Sequence, residues 1–198
     1  MNQDREALRA ELRRRRADLP AAARIAGAQA LAAQLLALPW MPARGRVAGY
    51  WAMDGEIALH AWQLALPADV AYCLPVLHDD RTLRFAPWRP GEPLKANRYG
   101  IPEPEMPPAQ LLEPASMDLV VLPLVSFDAC GQRLGMGAGW YDRSFAFRRD
   151  AAAPPPWLVG AGFDLQRTDA LPVEAWDVPL DAVCTERTTY LPRGTHAA

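Results

Sequence analysis

The chain has 198 residues, 51% of them hydrophobic, which suits one well-filled α/β domain and is too short for two. A formal charge of −2 argues against a nucleic-acid partner, and no stretch has the apolar length of a membrane span or the apolar core of a signal peptide, so a cytoplasmic protein with a small anionic ligand is expected. Cys73, Cys130 and Cys184 lie far apart without a C-x-x-C pair, and His60, His78 and His196 are equally scattered, so neither a disulfide framework nor a zinc site is indicated.

Residues 4–16 read as a helix with Leu8 and Leu12 on one face and Arg5, Arg9 and Arg13 on the adjoining one at i, i+4 spacing. Such a row is either a solvated face or a cation cluster awaiting an anion. A second helix over 21–38 carries Ile25, Ala28, Ala32, Leu35 and Leu36 at helical spacing and ends at Pro39. Val47 to Trp51 reads as the first strand, Met53 to Ile57 as a turn, and Leu59 to Leu66 as a helix. Ligands in open α/β sheets bind beyond the carboxyl ends of strands, where Glu56 falls, although a glutamate there equally suits the first turn of a helix. Residues 70–75 and 83–88 read as a hairpin beside an otherwise parallel sheet. From Pro87 to Pro114 the chain carries eight prolines and no periodicity, which marks an ordered loop or lid. Tyr99, within it, reads on its residues alone as a loop anchor.

The apolar run Leu119 to Val125 reads as a buried strand, with Asp118 and Asp128 as flanking turn or cap residues. It leads into Gly131-Gln132-Arg133-Leu134-Gly135-Met136-Gly137-Ala138-Gly139-Trp140-Tyr141-Asp142-Arg143, and Ser144 to Arg148 reads as the helix that follows. Alternate glycines free the backbone to turn and to present successive N–H groups to an anion. Arg133 adds a planar fork for phosphate oxygens, and Asp142 a hard oxygen ligand suited to Mg²⁺. The G-x-G-x-G spacing falls one residue short of the dinucleotide fingerprint, and Lys95 is the one lysine, so there is no Walker A motif. A strand-to-helix turn without a ligand would use the same glycines; the crowding of Arg133, Tyr141, Asp142 and Arg143 favours a ligand. A loop over 151–156, a strand over 157–163, a turn-rich stretch over 171–181, a last strand over 182–185 and a frayed tail after Arg187 complete the chain. There is no internal repeat. The pattern is α/β: a single three-layer domain over 1–198 with a mostly parallel central sheet and helices on both faces.

The segment Arg133-Leu134-Gly135-x-Gly137-x-Gly139-Trp140-Tyr141-Asp142-Arg143, preceded by Pro123-Leu124-Val125-x-Phe127-Asp128, resembles the signature of the 5-formyltetrahydrofolate cyclo-ligases, also called methenyltetrahydrofolate synthetases. The resemblance runs from Arg5 to Thr185. It implies ATP- and Mg²⁺-dependent cyclisation of 5-formyltetrahydrofolate to 5,10-methenyltetrahydrofolate, by phosphorylation of the formyl oxygen and with release of ADP and phosphate. It further implies that Arg5, Arg9 and the loop from Arg133 through Leu134, Gly135, Met136, Gly137, Ala138, Gly139 and Trp140 to Tyr141 hold ATP. Glu56, Tyr99, Met136 and Trp140 would hold the folate, Asp142 and Asp181 the metal, and Arg133 and Asp142 would act in catalysis. The substrate supplies both nucleophiles in such a reaction, in keeping with a chain that has no Ser-His-Asp or Cys-His constellation. The partners implied are these small molecules, with no nucleic acid, no membrane and a monomeric enzyme. Three positions depart from the family pattern: Arg5 stands where lysine is common, Ala138 where Lys or Gly is common, and Trp140 where Tyr or Phe is usual. A non-catalytic folate or nucleotide binder on the same scaffold, and an α/β enzyme such as a sugar-phosphate isomerase or CoA transferase, remain open on sequence alone.

Overall fold

A computed structural model describes residues 2–149 and 154–192, with side chains from Arg5 onward. Strands form where apolar and β-branched residues run together, and helices where alanine and leucine dominate. In chain order the strands are β1 (Gly45–Ala48), β2 (Val70–Leu77), β3 (Leu83–Pro87), β4 (Leu94–Ala96), β5 (Pro102–Pro104), β6 (Leu119–Pro123), β7 (Ser126–Phe127), β8 (Arg133–Leu134), β9 (Trp157–Ala161), β10 (Ala182–Cys184) and β11 (Thr189–Tyr190). The helices are α1 (Asn2–Ala17), α2 (Ala21–Leu36), α3 (His60–Leu64) and α4 (Trp140–Ser144).

Seven strands form one sheet in the order β11-β10-β9-β6-β1-β2-β3. The five inner strands are parallel, and β3 and β11 close the two edges antiparallel. Strand β6 is buried on both faces, which is why it reads as an unbroken apolar run. Its alternate residues feed separate cores: Leu119 and Val121 pack with Leu31 and Leu35 of α2 and Trp62 of α3, whereas Val120 and Leu122 pack with Phe127, Phe145 and Val178. The expected three-layer α/β domain with a mostly parallel sheet is the observed fold. Among the described residues no helix is long and apolar enough to cross a membrane.

Several local expectations change. The strand from Leu119 ends at Pro123, and a short hairpin follows, Ser126 pairing with Leu134 and Phe127 with Arg133. Two-residue strands are too short to show alternation in sequence. The helix after the glycine loop begins at Trp140, four residues earlier than expected, and Ser144 is its last residue. Ser144 bonds back to the Trp140 carbonyl at 2.7 Å and accepts the Leu83 N–H at 2.7 Å, so its hydroxyl pins α4 to β3. The proline-rich stretch contains the hairpin β4–β5, tied to the end of β2 by the Glu103 carboxylate, which accepts the Leu77 N–H at 2.9 Å and the Asn97 amide at 2.7 Å. Past Arg187 the chain is not frayed throughout, since Thr189 and Tyr190 pair with Cys184 and Val183. Residues 193–198 of that tail, and residues 151–153 of the expected loop, lie outside the described residues.

Candidate active site

Past the carboxyl ends of β1, β2 and β6 the chain leaves a cleft of about 910 Å³, with Tyr50, Pro75, Leu77, Pro123 and Leu124 on its floor. One wall is the glycine loop with α1 above it. The other is the turn around Glu56 and the β4–β5 hairpin that carries Tyr99.

The glycine loop is built as the spacing requires. Gly137 and Gly139 have φ of 97° and 67°, left-handed conformations that an L side chain resists. A Cβ at Gly139 would also stand 2.7 Å from an Arg143 guanidinium nitrogen. Among the described residues, no acceptor takes the N–H groups of Gly135, Met136, Gly137, Ala138 or Gly139, which leaves a run of donors facing the cleft. Arg9 spans the loop from α1, its Nε donating to the Gly135 carbonyl at 2.8 Å and its guanidinium lying beside Gly137. Burial and the neighbouring Arg5 lower the pKa of Arg9, yet it remains a cation.

Two other cations of this end, Arg5 and Arg133, are matched to carboxylates. Arg5 donates to Asp177 at 3.2 Å and lies 3.7 Å from Glu174, and Arg133 donates to Asp142. Asp142 also accepts the Val178 N–H at 3.3 Å. Among the described residues, the buried Nε atoms of Arg5 and Arg133 have no partner. Among the described residues no three His, Cys, Asp or Glu side chains gather as a metal cage. Mg²⁺ needs none, because one or two carboxylates plus phosphate oxygens and water complete its shell. Asp142 and Asp177, both lining the cleft, fit that demand.

Two expected site residues are elsewhere. Asp181 does not line the cleft: it is 4% exposed, both carboxylate oxygens accept from Arg148 at 2.9 and 3.1 Å, and one also accepts the Leu158 N–H at 2.7 Å. A carboxylate so buried and paired is held away from the cleft, whereas Asp177, four residues earlier, lines it. Leu134 is likewise buried, its carbonyl accepting the Val125 N–H at 2.8 Å. The closing stretch is turn-rich and has no periodicity, so only the acidic pair Glu174 and Asp177, complementary to the basic first helix, could have pointed to Asp177.

The other end of the cleft is suited to a flat, polar ring. Glu56 is half-buried, and one oxygen accepts the Met53 N–H at 3.0 Å. Burial raises its pKa, opposed by the Met53 hydrogen bond and the Arg16 charge. Tyr99, 54% exposed, meets Trp140 edge-on with ring centroids 6.5 Å apart, and Met136 is exposed on the loop between the two ends. Burial raises the Tyr141 phenol far above its ordinary value, so it stays neutral. Beside Ala138, Arg143 donates to the Ala138 carbonyl at 2.9 Å and to the Arg81 carbonyl at 2.8 Å, and it stacks 5.4 Å from the Trp140 centroid.

Comparison with known proteins gives one consistent result. The model of the 5-formyltetrahydrofolate cyclo-ligase family matches residues 1–186. A 5-formyltetrahydrofolate cyclo-ligase of Haemophilus influenzae is 35% identical over 181 residues, covering 90% of this chain and 95% of the relative. One from Escherichia coli K12 is 38% identical over 176 residues, covering 87% and 94%. The NMR structure of Aquifex aeolicus 5,10-methenyltetrahydrofolate synthetase superposes with a TM-score of 0.81 at 25% identity, over 98% of this chain and 95% of that one. With the glycine loop, its arginines and a cleft at the strand ends in hand, the family match over nearly the whole length identifies the chain as a member of the 5-formyltetrahydrofolate cyclo-ligase family.

Proposed function

We propose that the protein cyclises 5-formyltetrahydrofolate to 5,10-methenyltetrahydrofolate, consuming ATP with Mg²⁺ and releasing ADP and phosphate. The observation that carries this reading is that phosphate donors, two carboxylates, a half-buried glutamate and several aromatic side chains line one cleft. Family membership supports the activity, and the residues supply a physical account of its nucleotide dependence.

In this account the loop N–H groups, Arg5, Arg9 and Arg133 hold the triphosphate, while Glu56, Tyr99, Met136 and Trp140 hold the folate. The formyl oxygen is a poor leaving group. It takes the γ-phosphoryl group, ADP departs, N10 attacks the activated carbon, and phosphate leaves with the former formyl oxygen as the ring closes. The chain contributes orientation and charge neutralisation, which suffice for phosphoryl transfer. Asp142 and Asp177 would hold Mg²⁺, which supplies charge neutralisation at the phosphates. With Asp142 committed to a metal ion, Arg133 would be free to turn its fork to the transferred phosphoryl group. Every group assigned to either substrate comes from one copy of the chain.

The test is the near-ultraviolet absorbance of the methenyl product, followed with 5-formyltetrahydrofolate and Mg²⁺ with and without ATP. Growth of the band only with ATP is expected. Folate binding without product would favour the non-catalytic binder, and turnover without ATP would favour a different α/β enzyme.

A further inference from the structure

Six arginines lie between Arg5 and Arg16, and the last of them is unlike the rest. Arg14 and Arg15 pair with Glu11 in solvent, and Arg13 reaches the exposed Asp54 carboxylate at 3.0 Å. Arg16 is 1% exposed. Among the described residues no carboxylate lies within ion-pair distance of it, and its Nε has no partner. Its remaining donors go to two backbone carbonyls, Asp54 at 3.0 Å and Leu124 at 3.4 Å. Burying a guanidinium in this way is costly unless its charge is answered nearby. A leucine or methionine would fill the same space without that cost.

The answering charge is Glu56. It follows in the turn whose Asp54 carbonyl Arg16 holds at 3.0 Å, and each of the two charges favours the ionised form of the other. The other groups facing Glu56 are Asp54 in its own turn, Arg13 of α1, Tyr50 beyond β1 and Tyr141 of α4. Of these, Arg13 is exposed and screened, Asp54 is anionic, and the two phenols are neutral, so Arg16 is the buried positive group of the set. Both carbonyls that hold Arg16 belong to residues lining the cleft.

Helix geometry completes the relation. Arg5, Arg9, Leu12 and Arg16 follow i, i+4, i+7 and i+11 and so occupy one face. We infer that Arg16 is a positioning residue: it fastens the Asp54 to Glu56 turn and the Leu124 end of β6 to helix α1, and it supplies the buried positive charge that Glu56 faces. The face that sets the nucleotide cations thereby also sets the folate acceptor. This rests on the assignment of Glu56 to the folate.

The experiment measures equilibrium binding of 5-formyltetrahydrofolate, without ATP, from pH 5 to 8 for wild type, Arg16→Gln, Arg16→Lys and Glu56→Gln, together with their melting temperatures. Loss of the buried charge raises the Glu56 pKa further, and a folate that needs the anion is then lost at higher pH. For Arg16→Gln, the acid limb of folate affinity moves up by roughly one pH unit, so that affinity on the acid side of the limb falls roughly tenfold while the plateau above it changes less. Arg16→Lys, which keeps a cation, returns the limb toward its wild-type position. Adding Glu56→Gln to Arg16→Gln restores part of the lost melting temperature, because the orphaned anion is removed. A limb that does not move in folded Arg16→Gln, or strictly additive losses in the double variant, overturns the inference. Unchanged folate affinity in Glu56→Gln would instead overturn the folate assignment, with the melting-temperature cycle still deciding whether Arg16 and Glu56 are coupled.

Discussion

Arg133 and Asp142, nine positions apart, are bonded to each other across the glycine loop. Without nucleotide, the proposed phosphate fork and the proposed metal ligand satisfy one another, so neither is left as an unpaired buried charge. Asp142→Asn keeps a hydrogen-bond acceptor for Arg133 but removes the anion. We expect kcat to fall roughly 10²-fold or more, with the apparent Mg²⁺ requirement raised and the melting temperature little changed. Unaltered Mg²⁺ dependence in an active variant would remove Asp142 from the metal site.

Arg9 makes one hydrogen bond to the loop and has no carboxylate partner among the described residues. For Arg9→Ala, the KM for ATP is expected to rise roughly tenfold, while the KM for the folate moves little. Steady-state kinetics with each substrate varied in turn checks this. A change confined to thermal stability would return the basic row of α1 to the solvated-face reading.

Asp177 and Asp181 are proposed to divide metal binding from scaffolding. Asp177→Ala should raise the Mg²⁺ requirement and weaken ATP affinity, freeing Arg5, with modest loss of stability. Asp181→Ala should leave the buried Arg148 cation and the Leu158 N–H unpartnered and cost about 3 kcal/mol of stability while the folded fraction keeps its Mg²⁺ dependence. Denaturant unfolding beside Mg²⁺ titration of activity distinguishes the two, and the reverse pattern would put Asp181 at the metal.

The thiols offer a test of the fold that is independent of activity. Burial pushes Cys73 up to about 12 and Cys184 up to about 11, whereas Cys130 is exposed on the turn before the glycine loop. At pH 8 one equivalent of a thiol reagent should react quickly, at Cys130, and the other two only on unfolding. Peptide mapping after brief labelling identifies the site. Fast labelling of Cys73 would contradict its burial on β2.

What was legible in the sequence was local. The run Leu119 to Val125 and the alternate glycines after it announce a buried strand and a backbone cradle, because each depends on neighbours a few residues away. The hairpins β4–β5 and β7–β8 were not legible, since strands of two or three residues show no alternation and are held by distant partners such as Leu77. Asp177 was passed over for Asp181 because a turn-rich stretch has no period to tell which side chain turns inward. The basic row of α1 was read as Arg5, Arg9 and Arg13, but with 3.6 residues per turn each step of four drifts by about 40°. Arg13 thus leaves the face, and Arg16 takes its place in the interior.

Helix α1 is fastened to the domain chiefly by cations. Leu12 is its one fully buried apolar side chain among those described, and the other anchors are Arg5, Arg9 and Arg16, reaching a carboxylate and carbonyls on four separate segments. A helix so attached gains little from the hydrophobic effect and belongs to the low-stability end of the molecule, where opening precedes global unfolding. Its attachment weakens as ionic strength rises and tightens when phosphates arrive to share its arginines. On the proposed function the nucleotide is therefore a structural element as well as a reactant: its binding would fasten the N-terminal helix, and release of ADP would loosen it.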